Sequence, residues 1–339
     1  MIHLFWNCRG LGSDTVVRAL NGQIREHRPS MIFLYETKMK DHRITRVIRR
    51  MGYFNGFDVA PVGNAGGLSL WWDDLIQVDV MDSSKHYIDA RCSIAESHTM
   101  FRFTGVYGTL YRAENEEFWR GMIQNFSPDR IPWICEGDFN EVLWDHEKAG
   151  GAAFCYNSPR YLEEFMNKVE IMDLGFNGKN YTWRGIRNGQ LVEARLDRSL
   201  VNASWLSSWP NSMVTNGTWR GSDHSPVLVK FGFQPEKRKK LFRFEAFWTK
   251  EEECRDIVRG AWNVDRDGNP LERSNSKINF FRAALINWSN GKLKNRSRQI
   301  KKMADQLGVL QQDWRGHSKE IEALEVELDK ICKHEECYW

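Results

Sequence analysis

The chain has 339 residues, 41% hydrophobic and 27% charged, which suits one large globular domain with an appendage, or two ordinary domains, and excludes a disordered or fibrous chain. A net charge of +3 is too mild to establish a polyanion partner, so that argument must rest on where the basic residues lie. Seven cysteines without close-paired zinc spacing fit a reducing compartment, and the opening MIHLFWNCRGLG holds too short an apolar run for a signal peptide or a membrane span.

In chain order, short apolar runs alternate with turn clusters up to about residue 235. IHLFW 2–6 predicts a strand, the spacing over 13–27 a helix, and MIFLY 31–35, GGLSLWW 66–72 and IQVDV 76–80 three further strands. YIDARCSI 87–94 and TMFRFTGVY 99–107 alternate as half-buried antiparallel strands do, and 114–125 has helical spacing. A strand near PWIC 132–135, a helix over 158–169, and strands at RLDRSL 195–200 and SPVLVKF 225–231 complete the set. The pattern predicts an α/β fold of two packed sheets with helices outside, and fifteen tryptophans supply aromatic packing between layers.

After Gly232 the texture changes. QPEKRKK 234–240 is a charged linker marked by proline, and from about residue 276 the chain is helical, with a basic stretch KLKNRSRQIKK 292–302. Met303, Leu307, Leu310, Ile321, Leu324, Leu328 and Ile331 form one amphipathic stripe, expected as a helical hairpin broken near Gly316. The expected organisation is an α/β domain over 1–233, a charged linker and connector over 234–275, and a helical tail over 276–339.

The stretch WICEGDFNEV 133–142 runs from an apolar strand straight into acidic and amide residues. By itself Gly-Asp-Phe-Asn is a common turn. Yet polar groups recur at the other strand ends: Asn7 after IHLFW, Glu36 after MIFLY, Tyr107 closing TMFRFTGVY, Asp197 within RLDRSL, Asp223 and His224 before SPVLVKF. Each has a plain structural alternative, such as a Glu36–Lys38 pair or Asp197 held between Arg195 and Arg198. Their joint recurrence at strand ends, where α/β sheets gather ligand sites, favours a single constellation.

Glu36, Asp223 and Asn7 offer the hard oxygen ligands that Mg²⁺ prefers, with Mn²⁺ as a substitute. Asp138 is of a type to accept a proton from attacking water, with Asn140 orienting that water, and His224, its ring held by Asp197, to donate to a phosphate oxygen as charge builds. Tyr107 is placed to touch the phosphate or the leaving oxygen. This is the equipment of metal-assisted phosphodiester hydrolysis, with no small-molecule cofactor expected.

The ordered set WNCRGLG, YETK, VYG, GDFNEV, ARLDRSL and SDHSPV, covering residues 1 to about 232, resembles the endonuclease/exonuclease/phosphatase superfamily, and in particular the endonuclease domain of plant non-LTR retrotransposons of the long interspersed type. The resemblance implies a four-layer α/β sandwich, here followed by a C-terminal helical arm, with the site at one rim of the two facing sheets. It also implies that Asn7, Glu36 and Asp223 lie on the metal side, that Tyr107 contacts phosphate, that Asp138 and Asn140 activate water, and that Asp197 partners His224. LFRFEAFW 241–248 and EECYW 335–339 look like the connector that leads to reverse transcriptase in such elements, while the Tyr/Phe-Ala-Asp-Asp polymerase motif does not occur in these residues.

Three positions depart from relatives. Abasic-site repair relatives carry a tryptophan where this chain has Ala194, which removes one wall of a pocket for an extruded sugar. Leu110 stands where many relatives have asparagine, with Thr109 or Arg112 as replacement phosphate contacts. Arg9 stands where several repair relatives have an acid, trimming the metal shell. Arg9, Arg112, Lys237, Arg238, Lys239 and Lys240 are the expected contacts to duplex DNA. The resulting expectation is a Mg²⁺-dependent nicking endonuclease, in the nucleus foremost or the cytoplasm, neither secreted nor membrane-bound. The alternatives are a same-fold phosphatase acting on a small phosphate ester such as an inositol phosphate, and an idle relic that only binds nucleic acid.

Overall fold

Period-two alternation sorts strand residues between two faces. In the computed structural model of the chain, which describes residues 1–39, 41–63, 65–155, 160–232, 248–249, 251–263 and 270–336, it builds two mixed sheets. The first has seven strands in the order Asn177–Gly178, Met213–Asn216, Val227–Lys230, Ile2–Asn7, Met31–Tyr35, Leu68–Trp72 and Asn55–Val59. The second has six, Ile171–Asp173, Asp197–Asn202, Trp133–Asp138, Met100–Tyr107, Tyr87–Ile94 and Ile76–Ser83. A smaller three-stranded sheet joins Trp183–Arg187, Gln190–Ala194 and Lys148–Ala149.

Each large sheet is centred on one parallel pair closed by a helical crossover. Ile2–Asn7 and Met31–Tyr35 are joined through the helix Asp14–His27, and Met100–Tyr107 and Trp133–Asp138 through Asn115–Asn125. Asp14 in the first turn and Arg25 and His27 in the last complement the dipole of the first crossover helix, which ends on Arg28 in the left-handed conformation. Its Val16, Leu20 and Ile24, spaced by four, pack with Ile44 and Ile48 on Leu4, Trp6, Ile32 and Leu34. The opposite outer layer sets Phe118, Trp119, Met122, Leu162 and Phe165 on Val106, Trp133, Cys135 and Leu200. Between the sheets lie Phe5, Phe33, Phe101, Phe103, Ile134, Val201, Val227 and Val229, each contributing about 1.5–3 kcal/mol by burial. The layers run helix, sheet, sheet, helix, the sandwich expected from the sequence.

Two elements escape the sequence pattern. DHRITRVIRR forms a helix, Asp41–Arg50, with Ile44 and Ile48 as its buried anchors, too few to register as a periodic stripe. The hairpin Trp183–Arg187 with Gln190–Ala194 turns on Asn188-Gly189, both at positive φ, the chemistry of a two-residue turn that matches strand twist. Arg195 and Arg198 turn away from Asp197 and bind Glu147 and Asp173 in a largely buried ion network, with Arg195 Nη2 at 2.7 Å from Asp173 and Arg198 Nη1 at 3.0 Å. Asp197 is thereby left to other partners.

The chain falls into two compact units, Met1–Pro235 and Glu236–Trp339. In the second, Trp248, Cys254 and Leu285 make one small core. The helix Pro270–Leu310 and the helix Trp314–Glu336 close a seam of Met303, Leu307, Leu310, Ile321, Leu324, Leu328 and Ile331. The break between them is a 3-10 turn at Gln311–Asp313, with a non-helical His317 just beyond Gly316. Lys237, Arg238, Lys239, Lys240 and the stretch 241–247 lie outside the described residues. No described helix is long and apolar enough to cross a membrane.

Candidate active site

The inward positions of the four central parallel strands carry Phe5, Phe33, Phe103 and Ile134 through the core, and the last inward rung of each is polar: Asn7, Tyr35, Tyr107 and Asp138. Register aligns these rungs, pairing Asn7 with Tyr35, Tyr107 with Asp138, and Asp138 with Asp197 on the adjacent antiparallel strand. His224 arrives from the loop before Val227–Lys230. It is fixed there by its N–H to Ser222 Oγ at 3.1 Å and by Trp6 Nε1 donating to its carbonyl at 2.9 Å. One rim of the inter-sheet space therefore gathers Asn7, Glu36, Tyr107, Asp138, Asp197, Asp223 and His224.

Gly137 makes the second parallel pair possible. Its φ is +146° and an added Cβ would lie 1.9 Å from Val106 O, so only glycine fits between the strands. This answers why a buried strand ends in Glu-Gly-Asp: the glycine admits the neighbouring backbone and the acid is the final inward rung. Asn140 does not continue the strand. It takes a left-handed φ of 52°, donates its N–H to Asp138 Oδ1 at 3.0 Å and its side-chain amide to Gly108 O at 3.0 Å. The backbone therefore leaves the strand in a turn at Asn140, which brings the Asp138 carboxylate and the Asn140 side chain to the same rim.

Asp138, fully buried, accepts from Asn7 Nδ2 at 3.1 Å and lies 3.6 Å from His224 Nε2. Burial lifts its carboxyl to about 7, aided by the negative charge of Asp197 and opposed by His224 and Asn7. Burial alone would lower the His224 imidazole, but Asp197 and Asp138 outweigh it and raise it to about 9. Asp197 Oδ2 sits 2.9 Å from His224 Nδ1, its Oδ1 accepts the Tyr35 hydroxyl, and its backbone N–H goes to Thr182 Oγ1 at 3.0 Å. Tyr35 also stacks on Tyr107 at 5.9 Å between ring centroids.

On the other side of the rim, Glu36 Oε1 accepts the Tyr107 hydroxyl at 2.6 Å, and Oε2 lies 3.0 Å from Lys38 Nζ and 3.5 Å from Arg9 Nε. Burial would raise this carboxyl, but the Tyr107 and Lys38 contacts and the Arg9 charge hold it below its ordinary value. Arg9 Nη1 also contacts Asp223 Oδ2, which accepts Trp183 Nε1 at 3.0 Å. Of the eight described non-glycine residues at positive φ, Arg9, Glu36, Lys38 and Asn140 are here, a concentration of backbone strain that marks functional sites.

The sequence-expected residues divide by placement. Asp138, Asp197 and His224 offer ligand atoms within 4.8 Å of one another. Their carboxylates are nevertheless paired with the two imidazole nitrogens, and a protonated imidazole ligates no metal. Glu36 and Asp223 form the oxygen-only set, and Asp223 Oδ1 is buried without a hydrogen-bond partner. That orphaned oxygen and the hard donors fit a divalent cation such as Mg²⁺. Asn7 lies between the two groups, its amide nitrogen on Asp138 and its oxygen accepting the Arg9 N–H at 3.3 Å. Arg112 begins a 3-10 turn, its side chain outside the described residues. Lys38 pairs with Glu36 as the plain sequence alternative had it, whereas Tyr35 and Trp183 are contacts the strand-end pattern did not single out: Tyr35 closes an apolar run, and Trp183 belongs to the unforeseen hairpin. Ala194, paired with Trp183, helps line a cavity of about 540 Å³ beside Asn140, with Val192 and Leu196.

No protein-family model matches the chain, and no curated protein sequence matches it. Solved structures do. With AP endonuclease LMAP from Leishmania major the chain shares 16% identity over 67% of its own length and 86% of that chain, at a TM-score of 0.53. With the endonuclease domain of TRAS1, a telomere-specific non-LTR retrotransposon, the values are 14%, 69%, 99% and 0.50. With the 3′ phosphatase NExo from Neisseria bound to product DNA hairpin they are 16%, 69%, 100% and 0.50. The chain shares their fold, and at such identities the likeness is one of fold alone.

Proposed function

We propose that the first unit is a Mg²⁺-dependent endonuclease that nicks duplex DNA, of the retrotransposon type. The observation that carries the reading is a buried carboxylate facing a buried imidazole whose far nitrogen is held by Asp197: Asp138 lies 3.6 Å from His224 Nε2, its carboxyl raised by burial to about 7 and the imidazole raised by the two acids to about 9. A carboxylate and an imidazolium so placed are suited to act as base and acid in one reaction. Between those values Asp138 is ionised and accepts the proton of an attacking water, while the Asn140 turn fixes the carboxylate from which the water is steered. His224 carries its proton on the nitrogen away from Asp197 and donates toward a phosphate oxygen as negative charge builds. Tyr107, held by Glu36, presents its ring and hydroxyl at the same edge. Mg²⁺ held by Glu36 and Asp223 would supply charge stabilisation at the phosphate.

DNA as the substrate is supported by the likeness to solved nucleases, one of them recorded with a DNA hairpin product. Ala194 favours intact duplex over abasic sites, because no bulky side chain at that position closes the cavity around an extruded sugar. The remaining groups address the phosphodiester and are blind to the base, so preference should follow DNA deformability, as at pyrimidine–purine steps. The product carries a 5′-phosphate and a 3′-hydroxyl able to prime synthesis. The test is nicking of supercoiled plasmid with Mg²⁺ and with chelator, beside an intact duplex, the same duplex with one abasic analogue, and a soluble inositol phosphate. Nicking of plasmid and intact duplex only with Mg²⁺ is expected. Preference for the abasic strand above ~100-fold would overturn the retrotransposon reading, and phosphate release from the inositol substrate alone would move the enzyme to the phosphatase class.

A further inference from the structure

Among the described residues, a single cation spans the two oxygen donors assigned above to the metal. The Arg9 guanidinium meets Asp223 Oδ2 through Nη1 and lies 3.5 Å from Glu36 Oε2 through Nε. Lys38 reaches Glu36 alone among these two carboxylates. The backbone is bent to make the bridge: Arg9 takes a left-handed φ of 47°, and its N–H is tied to Asn7 Oδ1 at 3.3 Å. Such a conformation is costly for a side chain with a Cβ and persists where surrounding contacts over-determine it. The other half of the setting is Asp223 Oδ1, buried with no hydrogen-bond partner, while its sister oxygen carries both Arg9 and Trp183. A carboxylate kept half-satisfied beside a displaceable cation is prepared for exchange of that cation. The Arg9 side chain is 44% exposed, so it has room to leave.

We propose that Arg9 is a resident counter-cation of the metal site, bridging Glu36 and Asp223 until a divalent ion displaces it, after which its freed guanidinium faces the incoming phosphate. The inference rests on the assignment of Glu36 and Asp223 as metal ligands. Two positive charges cannot share the space between two carboxylates without strong repulsion, so Arg9 and the metal ion compete. The competition sets metal affinity below what the bare donors would give. Displacement by the metal leaves an arginine without a carboxylate partner at the place where a phosphate ester arrives, and a guanidinium pairs well with phosphate.

The test is Mn²⁺ binding to the full chain, followed by the paramagnetic resonance of free Mn²⁺, for wild type, Arg9→Gln, Arg9→Lys and Glu36→Gln. Arg9→Gln should bind Mn²⁺ at least about 10-fold more tightly than wild type, the scale of coupling between close charges. Its melting temperature in chelator should fall, and saturating Mn²⁺ should raise it by more than it raises wild type. Arg9→Lys keeps one charge but reaches only one carboxylate, so its affinity should lie between the two, which preserves the test if Arg9→Gln fails to fold. Equal or weaker Mn²⁺ binding by both Arg9 variants, with binding lost in Glu36→Gln, would overturn the counter-cation and leave the metal site standing. Undiminished binding by Glu36→Gln would instead overturn the metal assignment itself.

Discussion

At the scale of single residues, the site is a set of charges whose neighbours decide their state. Asp197 is negative to both Asp138 and His224, so removing its charge should lower both of their pKa values. For Asp197→Asn the expected pH–rate profile shifts as a whole: the rise near 7 and the fall near 9 both move to lower pH, and the plateau drops ~100-fold or more as His224 loses its orienting partner. Nicking rates across pH 5–10 measure this, and limbs that stay in place would contradict the Asp197–His224–Asp138 chain. Glu36→Gln and His224→Ala should each reduce nicking by ~100-fold with the fold retained, and a near wild-type rate in either would show the assignment to be wrong.

A second residue-scale prediction concerns Glu141, which accepts the Leu162 N–H at 2.6 Å at the start of the helix Tyr161–Val169. Burial lifts its carboxyl from 4.5 to about 7, against the pull of the Leu162 and Tyr161 N–H groups and of the positive charges of Arg198 and Arg160. The folded state thus holds this proton more tightly than the unfolded one. That stabilisation is complete below about 4.5 and is lost as pH rises through about 7. Glu141→Gln does not titrate, so its stability relative to wild type should improve between pH 4.5 and 8 by about 1–2 kcal/mol, after discounting for partial exposure. Urea unfolding at several pH values is the measurement, and a pH-independent difference would refute it.

At the scale of elements, the four parallel strand ends explain both what the sequence disclosed and what it withheld. Asn7, Glu36, Tyr107, Asp138, Asp197, Asp223 and His224 are legible because each interrupts or borders an apolar run, and the rim is where such runs end together. Arg9 reads in sequence as a departure at the metal side and a contact to DNA, but its bridge to Asp223 is not legible there, since that partner is 214 positions away. Tyr35 was hidden because a buried aromatic at the end of MIFLY satisfies a core pattern, and only the facing sheet reveals Asp197 above its hydroxyl. The Arg195–Asp197–Arg198 cluster looks like a local salt bridge in sequence, yet alternation turns Arg198 away from the acid, Arg195 reaches out from the connection before the strand Asp197–Asn202, both arginines meet Glu147 and Asp173, and the acid meets His224. The strand pairing at Gly137 yields a direct test. Gly137→Ala would bring a Cβ to 1.9 Å from Val106 O across the parallel ladder, and should cost about 3 kcal/mol or more. An unchanged urea midpoint would mean that the two strands do not approach as closely as this register requires.

At the scale of the molecule, every group assigned to the chemistry lies in Met1–Pro235, and the second unit contributes a basic stretch and an apolar helical seam of its own. A chain ending at Pro235 should therefore fold and still nick DNA, yet bind duplex more weakly and with a shallower dependence of log K on log salt, because fewer phosphates are neutralised. Binding titrations at several salt concentrations decide the matter: an unchanged slope would assign the helical hairpin to some other partner.

The pairing of Ile2–Asn7 with Val227–Lys230 has a consequence for how such a protein is made. The strand that carries Asn7 leaves the ribosome more than 200 residues before its antiparallel neighbour and the loop bearing Asp223 and His224. At synthesis rates of about 5–20 residues per second, the growing chain spends ten seconds or more with its first strand bare along one edge and its acid–base pair incomplete. A nascent or prematurely terminated product lacking residues 223–230 has no imidazole opposite Asp138, and so lacks the acid that the proposed function requires. On the proposed function, the topology itself withholds hydrolysis until translation of the unit is nearly finished.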